Sequence, residues 1–342
     1  RVISRPLKVL VLDEPTAPLT VAEVDILFDI IAKLKAQGLT IIYISHRIEE
    51  IFSVSDRVSV LRDGCYIGTV KTSEIDRPGL ISMMIGKDVR SDCPPPISKV
   101  GDEVVLEAEN VTGNGVHNIS FKLKKGEILG FAGLVGCGRT ELMSVIFGDT
   151  PLREGRIFIK GKVRKFKTCR HAIKAGLGLV PEDRKAAGLL MENSVRVNIS
   201  LASMKKLSRF TVIDKKAELK VVDRYAKALQ IKTPSYEQQV EKLSGGNQQK
   251  VVVARWLVSD SDILIFDEPT RGIDVAAKQE IYKLMRELAA EGKSILMVSS
   301  DMEELLGMSD RIVVLSEGQL AGELTREEFD THRILDMASG ER

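Results

Sequence analysis

Leu264-Ile265-Phe266-Asp267-Glu268-Pro269-Thr270 ends an apolar run on two carboxylates, and Leu10-Val11-Leu12-Asp13-Glu14-Pro15-Thr16 repeats the pattern near the opposite end of the chain. The two stretches are 254 residues apart. The match continues without a gap from Lys8 against Asp262 to Val70 against Leu324, with roughly a third of positions identical, including Gly38 with Gly292, Asp56 with Asp310 and Gly64 with Gly318. One structural unit therefore occurs twice. In each copy an apolar strand delivers an acid pair to the carboxyl edge of a parallel sheet, the edge at which open α/β sheets bind ligands.

Outward from the first acid pair, residues 9–12, 40–44 and 57–61 read as strands, with helices over 21–36 and from about Ile48. This alternation predicts an α/β fold with a parallel sheet. Between Lys71 and Gly101 a short helix-like stretch with Ile81, Met84 and Ile85 gives way to Asp92-Cys93-Pro94-Pro95-Pro96, whose prolines exclude helix and central strand. The expected division is a first copy over 1–75, a linker over 76–102 and a second copy over 103–342. The second copy opens with β-type segments at 104–108 and 119–123, followed by a strand over 127–132 and a further β piece over 155–166. A mostly helical stretch of about 60 residues runs from Val195, and a strand covers 294–298. Ile281, Leu284, Met285 and Leu288 recur at helical spacing and read as a core face. The chain starts at Arg1, shortly before a strand that belongs late in its unit, so the repeat predicts about 150 residues ahead of it, about 490 in all.

The length of 342 residues and 44% apolar content suit two soluble α/β cores. Lys and Arg number 50 against 48 Asp and Glu, a net charge of +2, so no overall field favours a nucleic acid and none is expected as a partner. Cys65, Cys93, Cys137 and Cys169 form no CxxC pair and have no nearby histidine cluster, which favours free thiols in a reducing compartment over disulfides or zinc. No apolar run approaches the ~18 residues of a membrane span, and the start lacks a signal-peptide pattern. Attachment to a membrane would therefore need a partner.

The strand ending at Ala132 runs into Gly133-Leu134-Val135-Gly136-Cys137-Gly138-Arg139-Thr140, a match to the phosphate-cradling pattern GxxGxGK[ST] at every position but the lysine. Gly133, Gly136, Cys137 and Gly138 would turn backbone N–H groups toward phosphate oxygens, and Thr140 would offer a hydroxyl to Mg²⁺. Arg139 is the departure, because a flat, forked guanidinium does not reproduce the compact ammonium contact with phosphate. Asp13 and Asp267 sit where a carboxylate holds the hydration shell of Mg²⁺, and Glu14 and Glu268 where one orients or deprotonates an attacking water. At the tip of the next strand His46 aligns with Ser300; a histidine there donates to a γ-phosphate oxygen, and serine is too short to do so. Leu243-Ser244-Gly245-Gly246-Asn247-Gln248-Gln249-Lys250 opens a helix whose glycines let a ligand approach its positive end, with Ser244, Gly245, Gly246 and Gln248 as expected contacts.

LSGGNQQK ahead of ILIFDEPT, the near-match phosphate loop, and YISH after LDEPT resemble an ATP-binding-cassette (ABC) ATPase with two cassettes in one polypeptide. GFAGLVGCGRTEL, VPEDRK, LSGGNQQK and VSSD narrow the resemblance to the second cassette of bacterial importers of ribose, xylose, galactose, arabinose or autoinducer-2. The fold implied is a P-loop cassette with a parallel sheet core, an antiparallel β subdomain and a helical subdomain, partial in the first copy and complete in the second. In that family too the second cassette carries Arg for Lys and lacks the switch histidine. Glu182 falls about where other cassettes have the Q-loop glutamine, and no tyrosine lies near Val111, where the adenine-stacking aromatic belongs.

The resemblance further implies ATP and Mg²⁺ as cofactors and head-to-tail pairing of cassettes. A hydrolytic site would use Asp13, Glu14, His46, Ser244, Gly245 and Gly246, and a slow site Gly136, Gly138, Arg139, Thr140, Asp267 and Glu268. It also implies integral membrane permease subunits as partners, a secreted sugar-binding protein acting indirectly, and a place at the cytoplasmic face of the membrane. Two other readings stay open on the residues alone: a soluble tandem ATPase acting on ribosomes or DNA, and a non-catalytic nucleotide-binding regulator. The short proline-rich linker and the scattered cysteines oppose the first of them.

Overall fold

The computed structural model describes residues 8–16, 21–45, 48–62, 65–76, 79–80, 83, 100–209 and 212–340. His46 and most of the expected linker, including Cys93 and the three prolines, lie outside the described residues. The chain forms two compact units, one from the residues before 92 and the other from those after, with Asp274–Ala276 grouped with the first.

In the first unit β1 (Val9–Asp13) pairs in parallel with β2 (Thr40–Ile44), and β3 (Arg57–Arg62) pairs antiparallel with β4 (Cys65–Lys71). The helices Val21–Ala36 and Ile48–Val54 connect them in the expected order. β4 was not anticipated, since its alternation includes Gly68 and Thr69 and is weak. Ile48, Ile51, Val58, Val60 and Leu80 form the small core of this unit.

The second unit opens with β5 (Val104–Gly113) and β6 (Val116–Lys124), which with β8 (Glu154–Ile159) and β9 (Lys162–Arg164) make an antiparallel sheet in the order β6-β5-β8-β9. A six-stranded sheet joins β7 (Ile128–Ala132), β10 (Leu177–Val180), β13 (Ile263–Asp267), β14 (Ser294–Val298), β15 (Arg311–Ser316) and β16 (Gln319–Thr325) in the order β10-β13-β14-β7-β15-β16. All its pairings are parallel except β15 with β16. β7, β13 and β14 are buried at every residue, as strands covered on both faces must be, and this explains their unbroken apolar sequences. The helix Arg139–Phe147 touches β10 and β13 on one side and β5 on the other. The loop between β7 and that helix is thereby fixed at the carboxyl edge.

The stretch after Val195 is less helical than expected. The helices Val195–Ser200, Lys215–Ala228 and Gly245–Val258 are present, but β11 (Ser208–Arg209) and β12 (Val212–Ile213) pair as a small hairpin between the first two. The β-branched Val212 and Ile213 favour extended backbone where the apolar count alone suggested helix. The helix Gly245–Val258 is the axis of this region, buried continuously from Gln248 to Val258, and the Trp256 indole donates to the Leu179 carbonyl of β10 at 2.7 Å.

Candidate functional site

β7 ends at Ala132, and the next six residues must turn the chain from strand into helix. Gly133, Gly136 and Gly138 adopt φ of 150°, 82° and 101°, in the region that L side chains avoid. Gly138 caps the helix Arg139–Phe147 and has no room for a methyl, since a Cβ there would lie 2.8 Å from Val116 and 3.3 Å from the Cα of Gly318. A Cβ on Gly136, by contrast, would meet nothing within 4 Å. The loop therefore presents an open concave backbone at a helix N-terminus, suited to an anion such as a phosphate chain. Cys137 departs from the expectation that its N–H faces a phosphate, because that N–H closes the loop on itself. Its side chain is buried, its N–H donates to the Leu134 carbonyl at 3.1 Å, and burial pushes its thiol pKa up.

Two expected site residues meet at the end of this loop. The Thr140 hydroxyl donates to Asp267 Oδ1 at 3.2 Å, joining the first turn of the helix to the end of β13. Burial pushes the Asp267 carboxyl up to about 6, against the lowering effect of the Thr140 bond. A carboxylate and a hydroxyl converging beneath an anion cradle are the oxygen donors that suit Mg²⁺. Glu268 follows with φ 50°, its N–H donating to the Val298 carbonyl at 2.9 Å, and the Ser300 hydroxyl donates to its Oε2 at 3.0 Å. Arg139 is buried, and its Nη1 donates to the Ser299 carbonyl at 2.6 Å.

The first unit repeats the frame of this edge. Asp13 ends β1, Glu14 has φ 44°, and its N–H donates to the Ile44 carbonyl at 2.9 Å. The placement of His46 is outside the described residues.

The remaining expected residues cluster at the helix Gly245–Val258. Ser244 is its exposed N-cap, and the Asn247 amide donates to its hydroxyl at 2.9 Å. Gly245 and Gly246 serve packing as well as access. A Cβ on Gly245 would lie 2.8 Å from Arg184 Nη2, and one on Gly246 would lie 2.7 Å from Ala277 Cβ. Gln248 is placed differently from the expectation of a ligand contact. It is 3% exposed, its amide nitrogen donates to the Val240 and Leu243 carbonyls at 3.2 Å each, and its oxygen accepts from Arg184 Nε at 3.3 Å. Both of its amide hydrogens hold the turn that presents Ser244. Glu182 pairs with Arg271 at a cleft of about 280 Å³ that Asp183, Arg184 and Lys185 also line. Arg184 and Arg271 were missed because isolated arginines in a sequence carry no spacing signal; their partners are set by the fold.

Residues 116–271 match the family described as ABC transporter. The ribose import ATP-binding protein RbsA of Clostridium tetani is 48% identical over 339 residues, covering 99% of this chain and 67% of that protein. The protein of the same name in Bacillus subtilis is 45% identical over 336 residues, covering 98% and 68%. The crystal structure of a nucleotide-free ATP-binding cassette from an ABC transporter superposes with a TM-score of 0.58 at 22% identity, over 66% of this chain and 93% of that one, and supports the fold. The phosphate loop, the acid pair below it and the serine-glycine helix start thus lie in a cassette fold, and the chain belongs to the ABC transporter family of ATP-binding proteins.

Proposed function

We propose that the chain binds and hydrolyses ATP to drive import of a monosaccharide through a membrane permease. The observation that carries the reading is the likeness of the whole chain, 48% identical over 339 residues, to a protein named for ribose import. The geometry supplies the chemistry. The Gly133–Thr140 backbone would hold phosphates, Thr140 and Asp267 would hold Mg²⁺ in the second unit, and Asp13 would do so in the first. When bound, Mg²⁺ neutralises charge developing on the phosphate oxygens. Integral permease subunits, with a secreted sugar-binding protein behind them, and a peripheral place at the cytoplasmic face complete the proposal. Ribosome, DNA and purely regulatory roles find no support in these likenesses.

Turnover is assigned mainly to Glu14 and His46. The support is that the second unit spends its Arg139 on the Ser299 carbonyl and has Ser300, not histidine, beside Glu268. In this reading Ser244, Gly245 and Gly246 grip a nucleotide held by a facing cassette. Vesicles containing the intact protein and its permease, loaded with ATP, should take up radiolabelled ribose or a related pentose or hexose. ATP hydrolysis that no such sugar and no permease stimulates would overturn the assignment.

A further inference from the structure

Arg184 opens the single π-turn Arg184–Gly188, immediately after Glu182 and Asp183. It is only 9% exposed, yet its hydrogen bonds go to neutral acceptors on two other segments. Nε donates to Gln248 Oε1 at 3.3 Å, Nη1 to the Arg271 carbonyl at 2.9 Å and Nη2 to the Gly272 carbonyl at 3.0 Å. Gln248 in turn holds the carbonyls of Val240 and Leu243, just ahead of Ser244. The Arg271 N–H donates to the Glu268 carbonyl at 3.2 Å, so the other end of the link reaches the acid pair. The guanidinium also packs close to Gly245, where a methyl carbon would stand 2.8 Å from Nη2. A guanidinium suits this place because its planar fork can reach three acceptors at once; an ammonium cannot span them.

We infer that Arg184 is a positioning residue that ties the Ser244–Gly246 turn to the Glu268–Gly272 turn, so that the two nucleotide-facing edges of this cassette move as one. The inference rests on the reading of Ser244–Gly246 as the grip on a nucleotide of a facing cassette. The Glu268–Gly272 turn follows directly on Asp267, which accepts from Thr140 at the end of the glycine loop. Arg184 is then the residue through which one nucleotide site senses the other. Burial lowers the pKa of Arg184, but the group remains charged at neutral pH, so the tie does not switch with acidity.

Arg255 provides the control. It is equally buried, at 7% exposed, and also bonded to neutral acceptors: the Asn198 carbonyl at 2.8 Å, the Gly188 carbonyl at 2.6 Å and Asn198 Oδ1 at 3.0 Å. Gly188 closes the turn that Arg184 opens, so Arg255 holds that turn too, but none of its acceptors lies in the Ser244–Gly246 or Glu268–Gly272 turn. In the intact protein, amide hydrogen exchange of residues 244–250 and 268–273 is followed against a non-hydrolysable ATP analogue, alongside steady-state ATP hydrolysis. The wild type should protect both segments over one concentration range. Arg184→Lys should separate the two midpoints by about tenfold and raise KM for ATP about tenfold, with kcat changed less than about threefold. Arg255→Lys, compared at equal loss of thermal stability, should leave the midpoints together. If Arg184→Lys fails to fold, Arg184→Gln replaces it with the same expectations. The inference is overturned if the midpoints stay together and KM stays within about twofold, or if Arg255→Lys reproduces the separation. Ser244→Ala separates the levels: a raised KM there with none in Arg184→Lys defeats the tie alone, and no effect in Ser244→Ala defeats the grip beneath it.

Discussion

The ends of β1 and β13 share a backbone and differ in their side chains. The registers are the same, Val9 opposite Thr40 and Ile263 opposite Ser294, and the downstream hairpins carry the same irregularity, after Val60 in one and after Val314 in the other. Glu14 and Glu268 have φ of 44° and 50° and donate to the Ile44 and Val298 carbonyls at the same 2.9 Å. Behind this frame the copies part. Glu50 accepts from Thr16 at 2.7 Å, Tyr43 at 2.8 Å and Ser45 at 2.8 Å. Its counterpart Glu304 accepts from Ser299, has Met297 where Tyr43 stands, and keeps a buried Oε1 without a partner. The lesson is that duplication preserves backbone geometry longer than it preserves the groups that chemistry needs.

The strongest way to break this comparison is to remove each glutamate in turn. Glu14→Gln in the intact protein should lower ATP hydrolysis about 10³-fold, within the range of a lost general base, and Glu268→Gln less than about threefold, as measured by phosphate release. Equal losses would show that the two ends are chemically equivalent.

The buried carboxyls give the next largest effect. Burial pushes Glu304 up to about 7 from an ordinary 4.5. Because the folded value is the higher one, its contribution to stability is fully present below about pH 4.5 and is lost by about pH 7. Urea unfolding should show Glu304→Gln losing less stability than the wild type between pH 5 and pH 8, by up to about 3 kcal/mol. A parallel loss in both proteins would mean that Glu304 is solvated.

Arg139→Met tests whether this arginine serves the strand tip or the ligand. Loss of its bond to the Ser299 carbonyl should cost about 2 kcal/mol in chemical unfolding. Binding of a fluorescent ATP analogue at the second unit should change less than about threefold. A large loss of binding with unchanged stability would return Arg139 to the phosphates. The smallest expected effect sharpens the comparison: in a Glu14→Gln background, Arg139→Lys with Ser300→His should raise residual hydrolysis about tenfold. No gain would place the limit elsewhere, with Glu182 and its Arg271 partner as the next candidates.

Much of the site was legible because its groups are specified by local sequence. Glycines at φ values that L residues avoid, a hydroxyl at the first helical turn and acids at a strand end depend on neighbours a few residues away. Gln248 was misjudged because proximity to Ser244 in the chain says nothing about which way a helical side chain faces; it faces the interior. The hairpin of β11 and β12 escaped notice because two-residue strands are too short to show a period.

The sequence by itself determined the duplication, the order of strands and helices around each acid pair, and the loop that cradles an anion. Tertiary structure decided what each copied group does. Local sequence sets backbone conformation, since its forces act over a few bonds. Burial, hydrogen-bond partners and the destination of an arginine such as Arg139 or Arg184 depend on segments remote in the chain, and only their packing settles them.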